Sequence, residues 1–355
     1  MKLQRLGVFL SFLFLLGCSA EVRKQLEPRA TAFGPLNQLV VVAEGSIWES
    51  PIRDTVDYYF SSAYPVLPQP EPIFDLKYFS PEDLLAIKER QQLRAYLILA
   101  DLRDRNSVGT KLLLKDVGEE KVNEALREKG YKTSIGLDKW ADGQILVYMF
   151  ADGHDKLVQN IKENFAAVIR RIREVDQEKI AAGVYLGGVN GSLKSELRGA
   201  LGVDLKVPSD YFMALQEGNF AWIRKETPEV SSNLMMLKVP YRDQQQLTKG
   251  GLKILQDSLG RKYVSSEIPD TYMKVNDIDL PMLVETTTLN NYFALEGRGI
   301  WEMENDYMGG PFVSYLIHNP NTNELLLLYG FLYAPGEDKR EYMQQLEHVM
   351  HTIRF

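Results

Sequence analysis

The densest run of residues with ligand-binding chemistry is the segment 298–312, which reads RGIWEMENDYMGGPF. Trp301 and Tyr307 could form the aromatic walls of a groove, and Arg298 and Asp306 could supply its polar contacts. The Gly-Gly-Pro at 309–311 requires a special backbone before a predicted strand. The same residues also fit a tight turn with core aromatics, which is the commoner arrangement. These four residues are the predicted ligand-binding set, and the sequence identifies no catalytic residue.

Two other sets of side chains have residue types suited to metal binding or catalysis. His348 and His351 are three residues apart on a predicted helix, a spacing at which two imidazoles can share a metal ion. No HExxH pattern and no obvious third ligand accompany them, so we interpret them as surface residues and predict neither a metal nor a cofactor. Glu302 and Glu304 could serve a glycosidase, but that chemistry depends on the separation of the carboxylates, which the sequence does not give.

The segment 187–195, GGVNGSLKS, invites comparison with a phosphate-binding loop. Such a loop needs glycine directly before its Lys-Ser pair so that the backbone can wrap around the phosphates, and this chain has Leu193 there. We therefore predict a turn that follows a long helix.

Composition excludes several classes of protein. The chain has 355 residues, of which 45% are hydrophobic and 25% charged, which is ordinary for a globular protein and argues against disorder. Its formal net charge is −7, and an acidic chain without a long basic run is a poor nucleic-acid binder. The only cysteine is Cys18, so the folded part can contain neither a disulfide nor a Cys-ligated metal.

The first seventeen residues have the pattern of an export signal. Lys2 and Arg5 precede an apolar run, 6–16, that is about half of the roughly 20 residues needed to span a bilayer. The run ends in Leu15-Leu16-Gly17-Cys18, which matches the lipobox of bacterial lipoproteins. We therefore predict a signal peptide at 1–17 and a lipidated tether at 18–35, with lipid attached to the thiol of Cys18. Ser19, rather than aspartate, follows the cysteine and favours the outer membrane, and residues 19–24 lack the acidic cluster of some surface-exported lipoproteins, which favours the periplasmic face.

The remaining pattern predicts an α+β fold of two halves, 36–183 and 184–355, each a sheet covered by amphipathic helices. Apolar residues spaced by three and four between Val158 and Val175 predict a long helix with one buried face. Six strands are predicted between Phe220 and Tyr333. Residues 148–156 align without gaps to 331–339, which indicates that the halves are related and that each ends in a strand, a turn and a helix.

Two local signals lie in the first half. Prolines at 65, 68, 70 and 72 predict an extended stretch that crosses the edge of a domain. Ser80-Pro81-Glu82-Asp83 has the features of a helix start, and that helix is predicted to continue to about Leu93.

Several segments resemble an uncharacterised lipoprotein family of the Bacteroidota that is known only as a domain of unknown function. The segments are 309–315 (GGPFVSY), 330–336 (GFLYAPG), 339–343 (KREYM), 41–49 (VVAEGSIWE) and 67–75 (LPQPEPIFD). The resemblance covers most of the mature chain. It implies a Gram-negative envelope lipoprotein, and it implies no activity, cofactor or catalytic residue.

The sequence as a whole predicts a lipid-anchored protein of the cell envelope. Its expected partners are the membrane, through the lipid on Cys18, and an envelope protein or glycan, but not nucleic acid. A non-enzymatic binding or assembly module is the preferred hypothesis because no nucleophile–base pair, metal cluster or phosphate loop is evident. The alternative is an enzyme that acts on cell-wall or glycan material with carboxylates near Trp301 and Asp306.

Overall fold

The computed structural model of the chain describes residues 29–355. The predicted leader, Cys18 and residues 19–28 of the predicted tether lie outside the described residues. The first half contains five strands and six α-helices, connected in the order β1 (Gln38–Val42), α1 (Gly45–Trp48), α2 (Ile52–Phe60), β2 (Asp75–Phe79), α3 (Pro81–Ala86), a 3₁₀ helix (Lys88–Gln92), β3 (Ala95–Asp101), α4 (Val108–Val117), α5 (Glu119–Glu128), β4 (Tyr131–Leu137), β5 (Ile145–Ala151) and α6 (His154–Val184).

The second half contains eight strands and three α-helices. They follow in the order α7 (Gly191–Leu201), β6 (Phe212–Glu217), β7 (Phe220–Glu226), β8 (Ser231–Pro240), a 3₁₀ helix (Gln244–Leu247), α8 (Lys249–Tyr263), β9 (Tyr272–Asn276), β10 (Leu283–Leu289), β11 (Tyr292–Glu304), β12 (Gly309–Asn319), β13 (Glu324–Tyr333) and α9 (Arg340–Met350). The predicted α+β class with two sheets is confirmed.

The first sheet has the strand order β2-β1-β3-β5-β4, and only the pairing of β4 with β5 is antiparallel. Every residue of β5 is buried, as in a parallel sheet with helices on both faces. The predicted stripe of α6 is confirmed, because Ile161, Val168 and Ile172 are buried against this sheet. Each such side chain contributes about 1.5–3 kcal/mol when it is fully buried.

The second sheet is antiparallel throughout, with the order β10-β11-β12-β13-β8-β7-β6 and with β9 paired to the far end of β11. Helices α7 and α9 cover one face through Leu197, Leu346 and Val349. Helix α8 covers the other face through Leu252 and Leu259. Helix α8 shields only part of this second face.

The aligned segments 148–156 and 331–339 both contain the end of a strand and a turn; a helix begins at His154 within the first segment and at Arg340, directly after the second. Their glycines, Gly153 and Gly336, have φ angles of +99° and +81°, which residues other than glycine rarely adopt. The likeness ends there, because β5 lies inside a mainly parallel sheet and β13 inside an antiparallel one.

Three local predictions need correction. Ser80 does cap α3, since its Oγ accepts from Asp83 N at 3.0 Å, but the helix ends at Ala86 and a 3₁₀ helix follows. Residues 64–72 do not run straight, because Tyr64 N donates to Glu71 O at 2.7 Å and folds the segment back on itself. Most of 187–195 is not a turn, since α7 begins at Gly191 with Asn190 as its cap.

The last helix, α9, joins the two halves. No side chain of its own caps its N-terminus; instead the buried Glu71 accepts from Lys339 N and Arg340 N at 2.6 and 3.0 Å. Asn37 and Gln344 exchange two amide hydrogen bonds of 3.1 and 2.8 Å across the same junction. A carboxylate at a helix N-terminus is stabilised by the helix dipole. Because Glu71 belongs to the first half, the first half helps to position α9 on the second sheet.

Residues 29–35, the last of the predicted tether, lie against the first half. Ala32 N donates to Asp142 O at 2.8 Å, and Phe33 N donates to Gln92 O at 3.0 Å. Among the described residues, none of the helices combines the length and apolar character needed to cross a bilayer.

Candidate functional site

A groove of about 440 Å³ lies on the face of the second sheet that α8 covers only in part. Helix α8 ends at Tyr263, and the adjoining ends of β7, β8, β11 and β13 stay open to solvent. We call this feature the aromatic groove. It is lined by Trp222, Arg224, Glu226, Ser231, Asn233, Tyr263, Val264, Ser265, Trp301, Met303, Met308, Phe331 and Tyr333.

Trp301 forms part of the floor of the aromatic groove. Its side chain is only 2% exposed, and its indole N–H donates to the carbonyl of Leu332 at 3.0 Å. Its ring lies 5.8 Å from Phe331 in an edge-to-face arrangement and 6.2 Å from Tyr333. The ring is therefore fixed in position, and Trp301 is both a core residue and part of the floor of the groove.

The Gly-Gly-Pro at 309–311 contains one glycine, Gly310, that packs closely against Trp301 and Leu332. A Cβ at residue 310 would collide with the carbonyl oxygen of Leu332 and would lie 3.0 Å from Nε1 of Trp301. The φ angle of Gly310 is not positive, so the glycine is required by close packing rather than by a left-handed backbone.

Trp222 forms a second wall and is held by a buried amide. Its Nε1 donates to Oδ1 of Asn233 at 3.1 Å, and Nδ2 of Asn233 donates to Oγ of Ser231 at 3.0 Å. Asn233 is 2% exposed, so this amide belongs to the folded framework, whereas Trp222 itself is half-buried. The arrangement orients one aromatic face before any ligand arrives.

Arg224 and Glu226 supply charge at the edge of the aromatic groove. The two side chains form an ion pair, and the guanidinium lies 5.1 Å from the centre of the Trp222 ring. Nε of Arg224 is shielded from solvent and has no hydrogen-bond partner. The pair is neutral overall, but it offers both donors and acceptors to a ligand.

The predicted residues Asp306 and Tyr307 lie in the turn that precedes groove-lining Met308. Tyr307 is fully exposed, and its backbone N–H donates to Oδ1 of Asp306 at 2.7 Å. Neither side chain lines the groove.

Arg298 lies on the opposite face of the sheet from Trp301. Both residues belong to β11, and side chains an odd number of positions apart on a strand point to opposite faces. The structure therefore does not bring the four predicted residues together. Trp301 lines the aromatic groove. Asp306 and Tyr307 precede the groove-lining residue Met308 in the chain but do not line the groove, and Arg298 faces α9.

Arg298 forms a bidentate ion pair with Glu347 of α9, with N–O distances of 2.6 and 2.9 Å. Tyr64 from the first half donates its hydroxyl to the same carboxylate at 3.1 Å. Burial alone would raise the pKa of Glu347, but the charge of Arg298 outweighs it and the pKa lies below its ordinary value. Burial, with the nearby charge of Glu347, raises the pKa of Tyr64. Arg298 also pairs with Glu296 at 2.5 Å, so one guanidinium holds two carboxylates, and the cluster is structural.

The other sequence candidates also have partners. His348 bonds to Gln177 on α6 at 2.9 Å, and His351 bonds to the hydroxyl of Tyr315 at 2.9 Å. Glu302 and Glu304 both pair with Lys274, so one ammonium group holds both carboxylates. Within residues 29–355, no group of three or more His, Cys, Asp and Glu side chains is placed to hold a metal ion.

Sequence reasoning missed Trp222, Arg224 and Glu226. A signal was present, because alternate residues of β7 share a face, and Phe220, Trp222, Arg224 and Glu226 are alternate residues. Three strands separate β7 from β11, and the two strands contribute to one site because the rings of Trp222 and Trp301 lie 6.4 and 5.8 Å from that of Phe331 on β13.

Comparison with protein families gives one match for each half. Residues 32–184 match a family described as a domain of unknown function (DUF8532), and residues 191–352 match another described as a domain of unknown function (DUF4837). The chain is similar to two uncharacterised families. No curated protein matches it. The matches are consistent with an uncharacterised family and assign no activity to the aromatic groove.

Proposed function

We propose that this protein is a lipid-anchored component of the cell envelope that binds another envelope component, without catalysis, in the aromatic groove. The observation that carries the binding part is the groove itself, with five aromatic rings fixed beside an Arg–Glu pair. The signal-like leader and the single cysteine of the sequence support the lipid anchor and an outer-membrane, periplasmic location.

The residues that line the aromatic groove support binding rather than hydrolysis. Glu226 is the only acid among the thirteen residues that line it, and it is paired with Arg224. Hydrolysis of a glycosidic bond ordinarily requires two carboxyl groups on either side of the bond. Glu302 and Glu304, the other acids considered, are held by Lys274.

Replacement of Cys18 by alanine tests the anchor. We expect the variant to lose incorporation of a labelled fatty acid and to move from the membrane fraction to the soluble fraction, because the thioether needs the thiol. Metabolic labelling and fractionation of cells measure both effects, with Ser19→Ala as the matched control. A wild-type protein with an unmodified thiol at Cys18, or a Cys18→Ala variant that still carries lipid, would contradict the proposal.

A photocrosslinking amino acid at Ser265 tests the groove. Ser265 is exposed, follows α8 by two residues and lines the aromatic groove, whereas Ser258, within α8, is exposed outside the groove. In intact cells we expect a discrete adduct with an envelope component from position 265 and none from position 258. The adduct should disappear in the Trp222→Ala background. Equal adducts at both positions, or none at position 265, would argue against a binding role for the groove.

A further inference from the structure

We infer that the ligand of the aromatic groove is a saccharide, a neutral mono- or disaccharide segment of an envelope glycan. This inference rests on the proposed function, because it names the ligand class of the same groove. Three features carry it: the rings, the paired polar groups, and the backbone of the strands below them.

The rings supply flat apolar faces of the kind that pack against the C–H face of a pyranose. Trp222, Tyr263 and Tyr333 are half-buried, so part of each ring is open to solvent beside the buried Trp301 and Phe331. The hydrogen bond from Trp222 to Asn233 and the stacking of Tyr263 on Phe220, with centres 4.1 Å apart, hold two of these rings in place. A rigid aromatic wall costs little conformational entropy when a ligand binds.

The polar groups fit hydroxyls. The side chains of Arg224 and Glu226 are 34% and 41% exposed, and the exposed Ser265 provides a hydroxyl group, while Oγ of Ser231 is already bonded to Glu226 and Asn233. Neighbouring hydroxyls of a sugar each donate and accept, so they need a donor and an acceptor side by side. Because Arg224 is already paired with Glu226, the groove has no surplus positive charge for a strongly anionic ligand.

The strands beneath the groove disfavour an extended peptide. Strands β7, β8 and β13 are interior strands of the sheet, and each pairs with a neighbour on both sides. Recognition of a peptide as an added strand needs an open edge with free N–H and C=O groups. An amphipathic helix, in turn, needs a mainly apolar groove, whereas Arg224 and Glu226 lie at the edge of this one.

The size of the groove is also suitable. Its volume of about 440 Å³ lies within the range of small-molecule sites, roughly 300–1,000 Å³. It is open along the sheet, so one or two rings of a longer glycan can enter while the remainder extends into solvent.

Titration of the purified, lipidated full-length protein in detergent with neutral disaccharides tests the inference. The probes are the β-1,4-linked dimer of N-acetylglucosamine, cellobiose and maltose, with calorimetry and tryptophan fluorescence as the measurements. We expect at least one probe to bind saturably, and Trp222→Ala to raise its Kd at least tenfold. Glu226→Gln, an exposed and nearly isosteric change, should also raise the Kd and serves if Trp222→Ala does not fold.

Trp48→Phe is the matched control, because Trp48 stacks on Tyr78 in the first half, with ring centres 4.7 Å apart. Its affinity should equal that of the wild type.

Saturable binding that survives both groove substitutions would overturn the inference, since the saccharide would then bind elsewhere. Failure of every probe at millimolar concentration would also overturn it. If the Ser265 adduct still forms in that case, and its partner is a protein, the proposed function stands; if no adduct forms, both fail.

Discussion

Replacement of Arg298 by methionine is expected to lower the free energy of unfolding by about 3 kcal/mol, because Glu347 would be left as a buried charge without its cation. The side chains of Arg298 and Glu347 are 19% and 14% exposed, so solvent screens the pair only weakly. Urea denaturation at pH 7 measures the change. The double variant Arg298→Met/Glu347→Gln should recover more than half of it, because glutamine removes the charge and keeps an acceptor for Tyr64.

Arg171→Met is the matched control for this prediction. Arg171 forms an ion pair with Glu174 on α6 with an N–O distance of 2.9 Å, but the two side chains are 41% and 51% exposed. Exposed pairs of this kind contribute at most about 1 kcal/mol. If Arg298→Met and Arg171→Met lowered the free energy of unfolding equally, Arg298 and Glu347 would not form the buried ion pair described above.

Acid should reduce the effect of Arg298→Met. In the wild type the pKa of Glu347 is below its ordinary value of 4.5, so the stability from its ionised form is present above pH 4.5 and is lost as the pH falls through the lower pKa of the folded protein. Without Arg298, only His351 and the hydrogen bond from Tyr64 oppose the effect of burial, so the pKa rises and the carboxyl is protonated more readily in the folded variant. The difference in unfolding free energy between the two proteins should therefore shrink between pH 7 and pH 4.

Replacement of Gly310 by alanine is expected to lower the free energy of unfolding by about 3 kcal/mol, because the added Cβ overlaps a backbone carbonyl that cannot move without displacing β13. The carbonyl belongs to Leu332, which also accepts the hydrogen bond of Trp301. The variant should therefore lose part of the near-ultraviolet circular dichroism of Trp301 as well as stability. Denaturation and circular dichroism on the same sample measure both effects.

Gly199→Ala is the opposite case and the control. Gly199 is exposed within α7, and no atom lies within 4 Å of the position of its added Cβ. Alanine in an exposed helix is more stable than glycine by about 0.5–1 kcal/mol, so this variant should gain stability. A Gly310→Ala protein as stable as the wild type would show that β12 and β13 are not packed as described.

Local patterns in the sequence were sufficient for the elements that bury one face or both. Apolar spacing predicts the buried stripe of α6 and the buried residues Met343, Leu346 and Met350 of α9, and the β-branched run at 39–43 predicts β1 as a buried strand; all three are observed. Such patterns can be read locally because a helix or strand repeats its orientation every few residues.

Strand β11 shows where local patterns were insufficient. The local pattern predicts a strand only over residues 292–295, whereas β11 continues to Glu304. Gly297 and Gly299 lower the strand signal, yet the sheet requires them, because a Cβ at either position would collide with Leu252 or Phe312. That collision depends on residues far away in the chain, and the missed strand concealed the fact that Arg298 and Trp301 face opposite sides.

The sequence by itself determined the α+β class, the two halves and the presence of Trp301 and Tyr307 in an unusual segment. The expected lipid anchor at Cys18 also comes from the sequence alone, and it stays a prediction. Only the tertiary structure decided that Trp222 and Arg224 of β7 line the same groove as Trp301 of β11, and that Glu71 caps α9. The groove follows from the order of strands in the sheet and from the point at which α8 ends, and the cap follows from the packing of the two halves; the spacing of neighbouring residues encodes neither.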